Sequence, residues 1–190
     1  MNKAIFLDRD GTINVEKNYL YRIEDFEFLP GVVDALKQLQ QAGYMLIIVT
    51  NQSGIARGYY TESDFQKLND WMVTQLKVQD VIIAQVYFCP HLPDAEVEEY
   101  RRDCSCRKPR LGMYQQAIAD YNIQLSKSYA IGDKIRDCAI CEQTICKGFL
   151  VGDNEKTDVI EKVKEGGYER VSYAKSLAEA AKIILQTKNK

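Results

Sequence analysis

The sequence has little of three things: excess positive charge, long apolar runs and histidine. Lys and Arg number 25 against 27 Asp and Glu, a net charge of −2 with no block of like charge. Polyanions bind basic surfaces, so we expect neither a nucleic-acid nor a membrane partner. No stretch approaches the roughly 20 apolar residues of a membrane span, and the first residues lack a signal-peptide pattern. We therefore expect a cytoplasmic protein whose six cysteines are free thiols or metal ligands rather than disulfides.

Several common functional motifs are also missing. The chain contains neither a Walker A motif nor a dinucleotide glycine fingerprint, so nucleotide binding has no local support. The sole histidine, His91, stands two residues after a cysteine, which favours metal binding over an acyl-transfer triad.

What the chain does contain is a regular alternation of short apolar runs and helical periods. The runs predict strands at residues 3–8, 44–50, 84–88, 129–133 and 148–151. Helical spacing predicts a helix from about Val32 to Gly43, one from Thr61 to about Val78, one from Met113 and one over about 136–145. A further helix, short strand and helix follow. This order predicts an α/β fold: a doubly wound, Rossmann-like parallel sheet with right-handed crossovers.

The length of 190 residues suits one domain with a full core, so we expect a single domain over residues 1–190. No repeat or linker divides it, and residues 186–190 are expected to fray.

Polar side chains stand where the predicted strands end. Asp8 and Asp10 follow the first strand, Thr50 ends the second and Asp133 ends the fourth. Ligands of doubly wound sheets bind at the carboxyl ends of the strands. Three carboxylates there repel one another unless a cation lies among them, and magnesium with a substrate phosphate as further ligand fits. Thr50 and a lysine, Lys108 or Lys134, would hold the phosphoryl group, so the residues favour phosphoryl transfer.

A second metal site is predicted by cysteine spacing. Cys89 and His91 form a C-x-H pair, and Cys104 and Cys106 form a C-x-C pair. In extended backbone, residues i and i+2 point the same way, so the two pairs can complete a tetrahedron around zinc. Four such ligands leave no open position, so we expect a structural zinc in a loop at about residues 89–108.

The remaining cysteines have no partner pair nearby. They are Cys138, Cys141 and Cys146. We interpret them as packing residues, because buried thiols are common in protein cores.

Four motifs in order resemble those of the haloacid dehalogenase (HAD) superfamily. They are "DRDGT", "VTNQSG", "CRKP" and "GDKIRD", which span roughly residues 4–137. Within it, "FLDRDGTIN", "TNQSGIARG", "CPH" and "CRKP" are similar to the heptose 1,7-bisphosphate 7-phosphatases. The sister family of histidinol-phosphate phosphatases shares "CPHLP", but its second motif tends to read "TNQDG". Residues 53–58 therefore favour the heptose family.

The resemblance implies a reaction and a set of roles. The reaction is magnesium-dependent hydrolysis of the 7-phosphate of D-glycero-D-manno-heptose 1,7-bisphosphate, on the route to ADP-heptose and the lipopolysaccharide core. Asp8 would be the nucleophile that forms an aspartyl-phosphate, and Asp10 the general acid and base. Asp8, the Asp10 backbone carbonyl and Asp133 would hold magnesium. Thr50 and Lys108 would orient the phosphoryl oxygens.

The resemblance also implies a substrate-facing set. It comprises Glu16, Lys17, Asn18, Tyr19, Asn51, Gln52, Ser53, Arg107 and Lys134. The residues between consecutive motifs are already accounted for by predicted helices, a strand and the zinc loop. Too few residues remain for a separate cap domain, so we expect none. Residues 14–29 and the zinc loop would then shape the pocket of a monomer that binds a phosphorylated sugar.

Two alternatives stay open. In the same class, the substrate is histidinol phosphate or another small phosphomonoester. In a different class, the chain is a zinc-stabilised binding module whose acidic site is catalytically silent.

Overall fold

The computed structural model describes residues 1–187 and contains one six-stranded sheet. The strands are β1 (Lys3–Leu7), β2 (Tyr44–Asn51), β3 (Ile83–Cys89), β4 (Tyr129–Gly132), β5 (Lys147–Val151) and β6 (Val171–Ala174). All neighbours pair in parallel, in the order β3-β2-β1-β4-β5-β6. This is the doubly wound order, whose direction of winding reverses between β1 and β4. The predicted fold class is confirmed.

Seven α-helices accompany these strands within the described residues, six between strands and α7 after β6. They are α1 (Val32–Gln41), α2 (Ser53–Ala56), α3 (Glu62–Val78), α4 (Gly112–Tyr121), α5 (Ala139–Gln143), α6 (Thr157–Lys164) and α7 (Leu177–Gln186). The predicted start of α3 at Thr61 is confirmed by a capping box: the Thr61 hydroxyl accepts from the Asp64 N–H, and the Asp64 carboxylate accepts from the Thr61 N–H.

One predicted helix is shorter than expected. The segment after β4 begins as a 3-10 turn over Ile135–Cys138, continues as α5 and ends at Gln143. Thr144 is fully extended, so the backbone leaves the helix two residues before the predicted end.

The sheet is covered on both faces, which explains why its central strands are apolar nearly throughout. Ile5 and Leu7 of β1 pack with α1, α3 and α7 on one face. Ala4 and Phe6 pack with α4, α5 and α6 on the other. The cysteines Cys138, Cys141 and Cys146 are buried in this second layer.

The sheet brings the ends of β1, β2 and β4 together, because β1 lies between the other two. No second sheet forms among residues 1–187. Within the same residues no helix has the length and apolar character needed to cross a membrane. Of the predicted frayed end, Gln186 belongs to α7, and residues 188–190 lie outside the described residues.

Candidate active site

The loop after β1 folds tightly back over its own start. The N–H groups of Thr12, Ile13 and Asn14 all point at the carbonyl of Arg9, at 2.8 to 3.2 Å. Gly11 sits in this turn with φ +76°, and a Cβ there would overlap the Asp133 carboxylate. Position 11 therefore requires glycine for two reasons: its backbone is left-handed, and the Asp133 side chain at the end of β4 approaches it closely.

Three carboxylates converge beside this turn. One oxygen each from Asp8, Asp133 and Asp137 lies within 4.8 Å of the others. Burial, opposed by Lys108 and aided by Asp137, raises the pKa of Asp8 to about 6. Burial and the Asp8 charge raise the pKa of Asp133 to about 8. Both shifts have the sign expected of crowded anions, and a hard divalent cation with oxygen ligands, such as magnesium, would relieve them.

Lys108 is the cation that already lies among these groups. Its Nζ is 2.7 Å from Asp8 Oδ1 and 2.7 Å from Asp137 Oδ1, and donates to the Val49 carbonyl at 2.6 Å. Burial opposes its charge, but Asp137 and Asp8 outweigh burial and raise its pKa. The Asn51 amide donates to the Lys108 carbonyl at 3.1 Å and accepts from its N–H at 3.0 Å. The Asn51 side chain thus links the end of β2 to the backbone of Lys108 by two hydrogen bonds.

A cavity of about 340 Å³ opens over these residues. Twelve predicted residues line it: Asp8, Asp10, Glu16, Asn18, Tyr19, Asn51, Gln52, Ser53, Arg107, Lys108, Asp133 and Lys134. Two predicted residues lie elsewhere. Thr50 is buried behind the wall, where its hydroxyl accepts from Gln52 Nε2 at 3.0 Å. Lys17 does not line the cavity, because its ammonium lies 3.5 Å from the Glu27 carboxylate.

Four lining residues escaped the sequence analysis: Arg57, Tyr60, Arg136 and Asp137. Asp137 had a usable signal, since it follows Asp133 by one turn in "GDKIRD". Arg57 lies within the quoted "TNQSGIARG". Arg136 lies within the quoted "GDKIRD", whereas no local pattern indicates Tyr60.

The four predicted zinc ligands cluster as expected. Cys89, Cys104 and Cys106 have Sγ–Sγ separations of 3.1 to 3.5 Å, and His91 Nδ1 is 3.3 Å from Cys106 Sγ. Sulfur atoms about 2.3 Å from a tetrahedral zinc lie roughly 3.8 Å apart, so small outward shifts of these thiols would complete the geometry. Burial and the Arg102 guanidinium on the far ring nitrogen lower the pKa of His91, which favours the neutral ring that a metal requires. The set therefore fits a closed zinc site.

The zinc cluster also bears on the cavity through the chain that follows it. Arg107 and Lys108 come directly after Cys106, and the Arg107 guanidinium lies 3.5 Å from the His91 carbonyl. An ion that fixes the cluster would therefore fix the position of both cations.

Comparison with known proteins agrees with this geometry. Residues 3–165 match the family model described as polynucleotide kinase 3 phosphatase. The D-glycero-beta-D-manno-heptose-1,7-bisphosphate 7-phosphatase of Pasteurella multocida is 40% identical over 185 residues, 97% of each chain. The protein of that name from Haemophilus ducreyi is 52% identical over 141 residues, 74% of this chain and 77% of that protein.

Among solved structures, the D,D-heptose 1,7-bisphosphate phosphatase of B. bronchiseptica, complexed with magnesium and phosphate, superposes with a TM-score of 0.81. It is 31% identical, over 97% of this chain and 99% of that one.

The doubly wound sheet, its clustered carboxylates and these relatives together define a phosphatase of the HAD superfamily. Within that class, the chain belongs to the family of D-glycero-beta-D-manno-heptose-1,7-bisphosphate 7-phosphatases.

Proposed function

We propose that this enzyme removes the 7-phosphate of D-glycero-D-manno-heptose 1,7-bisphosphate through an aspartyl-phosphate on Asp8. The observation that carries the proposal is the pairing of the Asp8 carboxylate with buried Lys108 at the floor of a cavity lined by further carboxylates. The relatives named above carry this activity in their names. In the cell the product would feed ADP-heptose and lipopolysaccharide core synthesis.

The reaction needs two displacements at phosphorus. In the first, an oxygen of Asp8 attacks the 7-phosphoryl group, the bond from phosphorus to the sugar oxygen breaks, and Asp10 gives its proton to that oxygen. In the second, water attacks the aspartyl-phosphate, the Asp10 carboxylate takes a proton from the water, and inorganic phosphate leaves. Asp8 and protonated Asp10 are regenerated, so protons and charge balance over the cycle.

The metals have separate tasks. Asp8, the Asp10 carbonyl and Asp133 would hold magnesium, with Asp137 beside them. Magnesium supplies positive charge that offsets the phosphate and the charge of the transition state. Zinc on Cys89, His91, Cys104 and Cys106 would be structural, because the four ligands leave no open position.

Unpaired guanidinium groups support a bisphosphate substrate over a simple monoester. Arg57, Arg107 and Arg136 all line the cavity, and within residues 1–187 none pairs with a carboxylate. Burial lowers the pKa of Arg107, and the charges of Arg136 and Arg57 add to this. Such mutual repulsion is relieved by an anion, and a second phosphate on the substrate would supply one.

Three further features complete the proposal. Residues 1–190 form one domain, in which the zinc loop at about 89–108 and residues 14–29 stand in for a cap. The enzyme acts as a monomer in the cytoplasm, where the six cysteines, none of which forms a disulfide in the described residues, stay reduced.

The decisive experiment compares two phosphate esters under magnesium. We expect kcat/KM for the heptose bisphosphate to exceed that for histidinol phosphate by at least about 10²-fold. Histidinol phosphate has no second phosphate, so it would leave the arginine side chains of the cavity without an anionic partner. A clear preference for histidinol phosphate would overturn the substrate assignment. A zinc-loaded, magnesium-supplied protein that fails to hydrolyse even an aryl phosphate would instead support a silent binding module.

A further inference from the structure

Gln52 has no side-chain group left over for a substrate, although it lines the cavity. The residue is 2% exposed. Its Nε2 donates to Asp10 Oδ2 at 3.0 Å and to Thr50 Oγ1 at 3.0 Å, and its Oε1 accepts from the Tyr60 hydroxyl at 2.6 Å. Both amide protons and the amide oxygen are therefore engaged inside the protein.

One of these partners fixes the direction of the amide. Reversing it would place the Gln52 carbonyl oxygen against the Asp10 carboxylate, where two acceptors cannot bond. The Tyr60 and Thr50 hydroxyls can each donate or accept, so the Asp10 carboxylate is the partner that fixes the direction. A buried acceptor left unpaired is costly, so this amide direction is the favourable one whenever Asp10 is ionised. Since Thr50 accepts from Gln52, the proton of its hydroxyl remains free for another acceptor.

Tyr60 is itself held from two sides. Its ring stacks on Tyr21, with centroids 5.3 Å apart and planes 14° from parallel. The other side lies against Gly54, where any Cβ would overlap the ring. Burial raises the pKa of Tyr60, which keeps the hydroxyl protonated and able to donate. The stack on Tyr21 and the contact with Gly54 thus fix the position of the hydroxyl that donates to Gln52 Oε1.

The other groups that bind Asp10 come from its own loop. Arg9 donates to both carboxylate oxygens at 2.8 Å, and Asn14 Nδ2 donates to Oδ1 at 3.0 Å. Arg9 and Asn14 therefore orient the carboxylate within its own loop, although the Arg9 guanidinium also lies over the Phe65 ring of α3, 5.6 Å from its centroid. Gln52 comes from the end of β2 and is the partner that relates Asp10 to Thr50, on the strand beside the nucleophile.

We infer that Gln52 is a positioning residue, held by Tyr60, whose amide sets the direction in which Asp10 exchanges its proton with the leaving oxygen. This rests on the proposed function, in which Asp10 is the general acid. Gln52 then serves the reaction through Asp10 and Thr50 instead of by contacting the sugar.

Leaving groups of different basicity test this role. A sugar alkoxide must be protonated as it departs, whereas p-nitrophenolate departs without a proton. Misplacing the general acid should therefore slow an alkyl phosphate much more than p-nitrophenyl phosphate. A residue that merely supports the fold, or merely binds phosphate, would slow both substrates alike.

The experiment measures kcat/KM, which reports the steps through leaving-group departure, on the heptose bisphosphate and on p-nitrophenyl phosphate with magnesium present. For Gln52→Ala we expect a loss on the order of 10²-fold on the sugar and under about tenfold on the aryl ester. Gln52→Glu should lose at least as much on the sugar, because it places a carboxylate against Asp10. Asp10→Asn should show the same pattern more strongly.

Tyr60→Phe tests the relay without removing the amide. It should change the ratio of the two kcat/KM values in the same direction, by roughly three- to tenfold. Tyr59→Phe is the matched control, since this neighbouring tyrosine is 51% exposed, and its ratio should equal that of the wild type. If Gln52→Ala does not fold, Tyr60→Phe carries the test.

The outcomes separate the two proposals. Equal losses on both substrates in the Gln52 and Tyr60 variants, or no loss at all, would overturn the positioning role while leaving the phosphatase intact. A wild-type protein inactive on both substrates would overturn the proposed function and the inference with it.

Discussion

Replacing Asp133 with asparagine should stabilise the protein in magnesium-free buffer while it weakens magnesium binding. Asp133 is 2% exposed, and its pKa lies at about 8 against an ordinary 3.8 because burial and the Asp8 charge both disfavour its anion. The folded state therefore holds this proton more tightly than the unfolded chain does. Stability from this group is fully present below about pH 4 and is lost as pH rises through about 8.

The size of the effect follows from the difference in pKa. Between 3.8 and about 8 lie about four pH units, and each corresponds to ~1.4 kcal/mol, so the upper bound is about 5 to 6 kcal/mol. Part of this comes from Asp8, whose own raised pKa shares the same repulsion. For Asp133→Asn we expect a gain in unfolding free energy of about 2 to 4 kcal/mol at pH 8 and under about 1 kcal/mol at pH 4.

Urea denaturation at a series of pH values measures the unfolding free energy of both proteins as a function of pH. The protein is freed of magnesium by dialysis, without chelators that would also remove zinc. The wild type should lose stability between pH 4 and pH 8, and Asp133→Asn should lose much less. Asp153→Asn, at an exposed neighbouring position, is the matched control. Parallel pH curves for the wild type and Asp133→Asn would refute the argument that crowded anions strain this site.

Three further substitutions separate the roles of individual groups. Asp8→Asn should abolish phosphate release while the fold, followed by circular dichroism, is kept; substantial residual turnover would contradict the covalent mechanism. Lys108→Met removes the cation that lies 2.7 Å from Asp8 and Asp137. It should therefore lower kcat by at least about 10²-fold and raise the pKa of Asp8 further. An unchanged acidic limb of the pH–rate profile would count against this pairing. Cys106→Ala should lower the zinc content measured by elemental analysis together with kcat, because Arg107 and Lys108 follow the missing ligand; full zinc with full activity would show that the loop does not depend on it.

The strands of this fold are readable from the sequence because burial on both faces leaves a strong apolar signal. Ile47 and Ile48 of β2 face opposite helical layers, so no polar residue interrupts the run. Helix ends are less readable where no cap marks them. A capping box at Thr61 marks the start of α3. By contrast, α5 ends at Gln143, and the extended Thr144 donates its hydroxyl to the Ile140 carbonyl and accepts from the Cys146 N–H, an arrangement that hydrophobic periodicity does not indicate.

The site is readable to the extent that its residues stand at strand ends. Asp8 and Asp133 do, and the parallel sheet brings them together. Asp137 comes from a short 3-10 turn, whose side-chain direction depends on a local bend that no periodicity reports. For Gln52 the sequence indicated a residue near the substrate, but its bonds to Asp10 and Tyr60 depend on tertiary contacts, among them the stack of Tyr60 on Tyr21.

The charges around Lys108 explain why this site calls for a divalent cation and not simply for another lysine. Asp8, Asp133 and Asp137 contribute three negative charges when ionised, and Lys108 contributes one positive charge. The remaining −2 equals the charge of one magnesium ion with opposite sign. A second lysine would leave one charge uncompensated and would occupy the space that a phosphoryl oxygen needs as a further ligand. A magnesium ion held there would bring the total charge of the ion and these four side chains to zero, which would favour the ionised Asp8 carboxylate that the attack requires.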